Sequence, residues 1–375
     1  MKKSLVAVAL LGAFAGSSMA ADVTLYGKID TGLNYQHKTA SGESTDAFTM
    51  AAGQSSGSRW GMKGTEDLGN GMKVGFVLES GFTSDDGKMG QGSRLFGREA
   101  SLNLTSDFGK LTMGRTGALS SGLGSTDVIA GFMAFSTGWS DTSKMGNFGL
   151  SDRDRMDNTV TYQTPRFAGV RVSAQYSFQV AGQETERQSK NKRYAGLGVD
   201  YTNGAFATGL TVDTVLNPTT AKNSEDSLGV TLGASYDFEV AKVFGIAGYA
   251  QNENKFGTLA AGSQWNATKK VAEGDKIANE GVTGYWGQLG VTAPVAGGKV
   301  LATVSYSDAE DEKAAAGYGK NDAKAWGVGL AYQYNLSKRT YAYTFAGYNQ
   351  TESTVQDKTH KTYETEVGFG LCHNF

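Results

Sequence analysis

The sequence predicts an all-β fold, a 16-stranded antiparallel barrel that crosses a membrane. Three observations predict it. Apolar and polar residues alternate with a period of two along most of the chain. The connections between alternating segments are short and long by turns, as in a meander decorated at one end only. Beyond the N-terminus the longest stretch free of charged and strongly polar residues is Val128–Phe135, too short for a helix that needs about 20 apolar residues to cross a bilayer. Since only helices and closed barrels satisfy their backbone in lipid, an exported chain with this pattern is either a barrel or a soluble β-protein.

Export is read from the first residues. Lys2 and Lys3 precede the apolar run Leu5–Ala15, and Gly16-Ser17-Ser18-Met19-Ala20 follows, the order of a secretory signal peptide cleaved after Ala20. The expected division is therefore a leader over 1–20 and a barrel over 21–375. Without Lys2 and Lys3 the 35 basic residues become 33 against 37 acidic ones, a formal charge of −4. Such a balance gives no sign of a nucleic-acid partner, which would favour a strongly basic domain. With 52 Gly, 18 Phe and 17 Tyr but only 3 Pro, the chain suits long hydrogen-bonded ladders, because Pro supplies no donor. Cys372 is the one cysteine, so no intramolecular disulfide holds the fold.

Alternation begins at Val23-Thr-Leu-Tyr-Gly-Lys-Ile-Asp30, where Val23, Leu25, Gly27 and Ile29 separate from Thr24, Tyr26, Lys28 and Asp30. Segments of this kind fall at 22–35, 58–67, 71–82, 94–105, 109–116, 157–164, 168–179 and 193–203, then at 205–215, 227–238, 242–252, 284–294, 298–307, 324–335, 340–350 and 362–375. Most match the ~9–11 residues of a tilted membrane strand. Those at 205–215 and 242–252 alternate weakly and leave their faces open. Seven connections are tight, among them Asp67–Gly71, Ser106–Gly109 and Asn203-Gly204, and the others are long and polar. Both termini then lie on the tight-turn side. A β-sandwich also alternates, but charges such as Lys28, Asp30, Lys63, Glu79 and Arg171 on the second face do not suit a dry core. Aromatic residues at strand ends (Tyr35, Phe82, Tyr176, Phe178, Tyr334, Tyr341, Phe375) fit interfacial girdles.

Several blocks carry a resemblance: Leu25-Tyr-Gly-Lys-Ile-Asp30, Ser58-Arg-Trp-Gly-Met-Lys-Gly-Thr-Glu-Asp-Leu-Gly-Asn-Gly71, Glu79-Ser-Gly-Phe82, Phe108-Gly-Lys-Leu-Thr-Met-Gly-Arg115, Leu336-Ser-Lys-Arg-Thr340 and the terminal Phe375. Together the chain resembles the trimeric general-diffusion porins of Gram-negative outer membranes, in their β-proteobacterial branch, over essentially all of its expected mature length. The resemblance implies 16 strands, a homotrimer in outer-membrane lipid, and a third extracellular loop folded into the lumen. It also implies passive passage of ions and small hydrophilic solutes. The third long connection, Gly117 to Asp157, is the longest, and loops beyond about 12–15 residues are usually functional or disordered. It carries Asp127, Asp141, Asp152 and Asp154, and its apolar patch Val128–Phe135 has two readings, a pin against the barrel wall or a contact between subunits. Cys372 departs from the family, standing where a basic residue is expected.

Inward parity nominates Lys28, Arg59, Lys63, Lys73 and Arg171 as basic pore-lining residues, and Asp30, Glu79, Glu99 and Asp200 as acidic ones. Arg98 and Arg115 resemble the family's constriction arginines, yet strict parity turns them toward lipid. Either they sit at the rim or a bulge re-aims them. Basic residues facing an acidic loop would set a transverse field across a water-filled pore, with a modest anion preference. The competing readings are a substrate-specific channel, which would show a file of inward aromatics, and an exported soluble binding protein.

No enzyme chemistry or cofactor site emerges. Gly53-Gln-Ser-Ser-Gly57 matches a nucleophile elbow but lacks the strand before and the helix after. His37, His360 and His373 have no metal-ligand spacing, and no phosphate-cradling loop is present. Ala21 and Phe375 are the residues expected to meet where the barrel closes. N-terminal sequencing of protein purified from outer membranes is expected to begin Ala-Asp-Val-Thr-Leu, and a start at Met1 would remove the leader from this reading.

Overall fold

A strand whose two faces differ can bury its backbone only by pairing on both edges, and here every stave finds two partners. The computed structural model describes residues 22–40, 42–136, 139, 153–185, 187–218, 225–253, 255–256, 259–260, 281–311, 321–355 and 358–375. The expected leader and Ala21 lie outside these residues. The strands are β1 (Asp22–Ala40), β2 (Glu43–Ala52), β3 (Arg59–Gly69), β4 (Met72–Gly81), β5 (Glu99–Ser106), β6 (Gly109–Gly117), β7 (Arg155–Gln163), β8 (Val170–Ser177), β9 (Arg193–Asn203) and β10 (Phe206–Leu216). They continue with β11 (Ser227–Asp237), β12 (Lys242–Glu253), β13 (Lys255–Phe256), β14 (Leu259–Ala260), β15 (Val282–Val295), β16 (Gly298–Asp311), β17 (Asn321–Asn335), β18 (Thr340–Val355) and β19 (Lys358–Asn374). β13 and β14 form a small separate hairpin, and the others form one closed antiparallel sheet.

That sheet is a 16-stave barrel, because β2 and β3 are the two halves of one stave. β1 pairs β2 along residues 31–40 and β3 along residues 22–28. Between the halves, residues 53–58 leave the wall and turn inward. The alternation predicts a first strand that ends at 35; the ladder runs on to Ala40 because Tyr35 faces Phe48 and Leu33 faces Met50, cross-strand apolar pairs that continue the lipid face. The fourth expected segment begins later, at Glu99, which leaves Arg94 and Arg98 ahead of the strand.

Closure is direct. β1 and β19 pair from Lys28↔Asn374 to Ala40↔Thr362. Below them Gly27 and Phe375 exchange backbone bonds of 3.1 and 3.0 Å. The Phe375 ring lies over Gly27, where an added Cβ would stand 2.2 Å from it, so only glycine fits. Phe375 therefore meets Gly27 at the seam, while its expected partner Ala21 is outside the described residues.

The outward face is apolar and bare: Leu25, Leu197 and Leu289 are each more than 60% exposed, a belt whose solvent is lipid. Tyr341, read from sequence as a girdle residue, belongs to the inner face instead. It pairs with the buried Cys372, and its hydroxyl lies 2.9 Å from that of Ser55. Tyr343 and Phe345 are buried on the same face, so the aromatics do not all stand outside.

Because the last residue supplies both a backbone pair and a packed ring to the seam, deleting Phe375 is expected to lower the folded, heat-modifiable fraction in a vesicle insertion assay. Insertion at the wild-type rate would show that the seam does not depend on it.

Candidate constriction

The loop between β6 and β7 crosses the lumen because its apolar residues match a groove of glycines. Inward positions Gly198, Gly209, Gly233 and Gly290 stand on β9, β10, β11 and β15. An added Cβ would lie 2.9 Å from Val128 at Gly198, 2.7 and 2.5 Å from the Phe132 ring at Gly209 and Gly233, and 2.6 Å from Ala134 at Gly290. Val128, Ile129, Phe132 and Met133 are buried with Leu119, Ile246 and Trp286 in one cluster. Phe135 and Trp139 continue into a second, with Leu301, Tyr343, Phe345 and Cys372. Of the two readings of Val128–Phe135, the structure gives the pin against the wall of its own barrel.

Polar groups fix the loop's two roots. Glu99 accepts from the Ser125 amide at 3.0 Å and its hydroxyl at 2.6 Å. Asp127 accepts from the amides of Ile129 at 3.1 Å and Ala130 at 2.7 Å, closing the short turn that aims Phe132 at the wall. Burial pushes the Asp127 carboxyl up to about 6 against these amide bonds. At the far root Arg153 makes charge-assisted bonds to Asp213 on β10 and Glu253 on β12, with Ser227 on β11 at 3.3 Å. All three ionic side chains are at most 1% exposed, and Ser120 and Tyr194 also donate to Asp213. Breaking a buried pair of this kind typically costs about 3–5 kcal/mol.

A second inward turn, Gly53–Ser58, rests on Asp30. This fully buried carboxylate accepts from the Ser55 amide and hydroxyl at 3.0 and 2.7 Å, the Ser56 amide at 2.8 Å and the Tyr343 hydroxyl at 2.5 Å. The Ser55 hydroxyl of the Gly-x-Ser-x-Gly match is thus a donor to a structural carboxylate. The turn presents Ser56 to two cations, Lys28 at 3.3 Å and the Arg59 Nη2 at 2.9 Å. Arg59 also donates to the Gly57 carbonyl at 2.9 Å.

Across the adjoining strands lie the other arginines. Arg98 donates to Glu79 at 2.6 Å, and the other Glu79 oxygen accepts from Tyr26 at 3.0 Å. Arg115 and Arg94 share one Asp157 oxygen at 2.7 and 2.6 Å. A bulge lies beside Arg115: the β6–β7 register shifts between Gly114 and Thr116, with Gly114 at φ +129° and Asn158 at φ +54°. Arg115 there bonds to Asp157 and, at 2.8 Å, to the Gly97 carbonyl, contacts strict alternation does not supply. Arg155 stands in the fields of Arg98, Arg59 and Glu79, with Asp154 3.6 Å away.

Lys28, Arg59, Glu79 and Arg98 are therefore brought together, whereas Asp30, Glu99 and Asp127 hold the inward turns in place. Lys63 is exposed beside the Tyr26 ring, its ammonium 5.4 Å from the centroid, and Lys73 is exposed near a tight turn. Arg171 donates to Asp200 at 2.8 Å, and Arg166 pairs with the same carboxylate. Asp154 is largely exposed, and Asp141 and Asp152 lie outside the described residues. Sequence reasoning passed over Arg94, Arg153, Arg155, Asp157, Asp213 and Glu253. The arginines alternating with acids in Ser151-Asp-Arg-Asp-Arg155 were a usable signal; Asp213 sat on a weakly alternating segment.

A Gram-negative porin family model matches residues 7–354. The chain is 33% identical to an outer membrane porin protein of Bordetella pertussis over 406 residues, covering 100% of each. It is 32% identical to outer membrane porin protein 32 of Delftia acidovorans over 395 residues, again covering 100% of both. Among solved structures it is similar to the anion-selective porin from Comamonas acidovorans, with a TM-score of 0.70 and 26% identity over 95% of this chain and 100% of that one. The trimer form of OmpT from Vibrio cholerae shares the fold, with a TM-score of 0.62 and 18% identity over 95% of this chain and 100% of that one.

Replacing Gly233 by Val would drive methyl groups into the Phe132 ring. Overpacking of this kind costs about 1–3 kcal/mol. The variant is expected to keep its barrel but cut faster within 119–135 under limited proteolysis; an unchanged cleavage rate would show that the glycine groove does not seat the loop.

Proposed function

The chain belongs to the Gram-negative porin family, and on that premise we propose that it works as a homotrimer whose pores pass anions modestly better than cations. The protein is an outer-membrane β-barrel channel for passive passage of ions and small hydrophilic solutes, not an enzyme. Its pore is lined, in this reading, by the nominated charged residues, with Arg59 and Arg98 the dominant ones and Arg155, which the sequence did not nominate, beside them. A leader over 1–20 delivers it to the membrane.

One observation carries the anion preference: the carboxylates available to oppose the arginines are largely engaged elsewhere. Asp30, Glu99 and Asp127 hold backbone amides and hydroxyls of the inward turns, and Asp213 and Glu253 are buried against Arg153. Arg59, by contrast, bonds to a carbonyl and a hydroxyl, both neutral. Charges in a narrow lumen are screened less than those on exposed loops, where the Debye length is about 8–10 Å at physiological salt. The lumen's excess of cations then outweighs the formal charge of the whole chain. The likeness to a porin described as anion-selective supports the same reading.

Small and hydroxylated outward side chains, Thr344 and Ala346 on β18 and Thr365 on β19, support a face that packs on a neighbouring barrel rather than on lipid tails. The trimer form of a structural neighbour supports it as well.

The test is the zero-current potential of many channels under a tenfold KCl gradient. The native channel is expected to give an anion-selective sign, reduced by Arg59→Gln, which removes a cation held by neutral oxygens, and by Arg115→Gln, which also leaves Asp157 with one cation fewer. A cation-selective native channel would overturn the proposal.

A further inference from the structure

The seven tight turns at the periplasmic end carry side chains that neither the pore nor the closure of the barrel explains. Four hold a large apolar residue at the tip: Phe108 and Phe167 are each 85% exposed, Val240 77% and Leu336 57%. Turn geometry asks for Gly, Asn, Asp or Ser, not for these side chains. The turns are also closed in a way that holds the side chains out. Phe167 and Val170 exchange two backbone bonds of 2.9 Å, the Val240 amide donates to the Phe238 carbonyl at 2.9 Å, and the Leu336 amide donates to that of Thr340 at 2.9 Å. The Phe108 amide donates to the Ser106 hydroxyl at 3.2 Å. In water each tip would leave apolar surface uncovered.

We propose that these tips lie in the headgroup layer of the inner leaflet and bind phospholipid there, extending the lipid contact of the barrel below its aromatic girdle. Two further observations favour lipid as the occupant. At the Leu336 tip the exposed Lys338 and Arg339 follow at once, whereas Arg166 beside Phe167 is held by Asp200 and Lys242 stands over the Phe244 ring. An apolar body beside an ammonium or guanidinium matches an acyl boundary beneath a layer of phosphates. The tips are also continuous with the outward aromatics just above them, Tyr162, Phe206, Tyr236, Phe238 and Tyr334. The Tyr162 hydroxyl donates to the Phe108 carbonyl itself, tying that tip to the girdle. The turn at Asn203-Gly204 carries no large apolar side chain and gives an internal control.

The inference rests on the barrel's place in the outer membrane and not on its ion preference. In a Cys372→Ser background, Phe108→Cys, Phe167→Cys and the control Asn203→Cys are labelled with a small environment-sensitive fluorophore. The proteins are folded into vesicles of phosphatidylethanolamine and phosphatidylglycerol. Quenching by lipid spin-labelled near the headgroup is compared with quenching by iodide present on both sides. At positions 108 and 167 lipid quenching is expected to exceed the control at least twofold, with iodide quenching correspondingly weaker. Iodide quenching equal to the control would overturn the proposal, and so would protection from both quenchers, which would mean that protein covers the tips. Heat-modifiable folding and KCl conductance, measured on the same samples, report separately whether the channel has formed.

Discussion

The bilayer forbids unpaired backbone groups at its centre, and in this chain that constraint decides nearly everything else. A sheet of strands with an open edge would leave a row of donors and acceptors in hydrocarbon, so the first and last strands must meet. The pairing of β1 with β19, completed by Gly27 and Phe375, satisfies that demand. Closure fixes the shape, and the period of two then does the rest: each strand gives one face to lipid and one to the lumen. The scarcity of Pro and the exposed outward Leu residues are two consequences of the same rule.

A barrel of this girth would be a wide hole without an internal plug, and its second organising feature is the way the third loop is seated. Loop residues are ordinarily poor ligands for a wall, since their backbone polar groups want water. Here the wall supplies glycines on four strands, so apolar loop side chains approach its backbone closely, while Glu99, Asp127 and Arg153 satisfy polar groups at the roots. The loop lies against β9–β12 and β15, and the arginines gather on the opposite wall, around β3 to β7. Asymmetry of charge in the lumen is thus a by-product of where an apolar patch can dock.

The fold was legible because its signal is repeated: sixteen segments and alternating connection lengths reinforce one another even where 205–215 and 242–252 are weak. The inward third loop came from length and resemblance, and the glycines that receive it were present on the inward parity without being read as a groove. Charges were harder. Parity says which wall a residue belongs to, but not whether its partner is a solute, another side chain or a backbone amide. Asp30 and Glu99 are inward as expected, yet each is tied to a turn that no local pattern announces. Asp213 and Glu253 meet Arg153 only in three dimensions, across 60 and 100 residues of chain.

The same distinction explains why two sets of arginines in one lumen behave differently. Arg153 is sealed among carboxylates and hydroxyls, where two buried acids meet its charge and no solute reaches it. Arg59 lies against neutral oxygens beside an inward turn, with Lys28, Arg98 and Arg155 near it and Glu79 the acidic member of the group. Such a cluster is unfavourable to itself, because like charges brought together raise one another's energy. A mobile anion in the water-filled path relieves that repulsion, and relief is greatest where the repulsion is greatest. In the proposed reading, selectivity follows from an electrostatic tension that folding leaves in place: the fold engages several of its acids in holding the loops, and Arg59 on the opposite side is left among neutral oxygens.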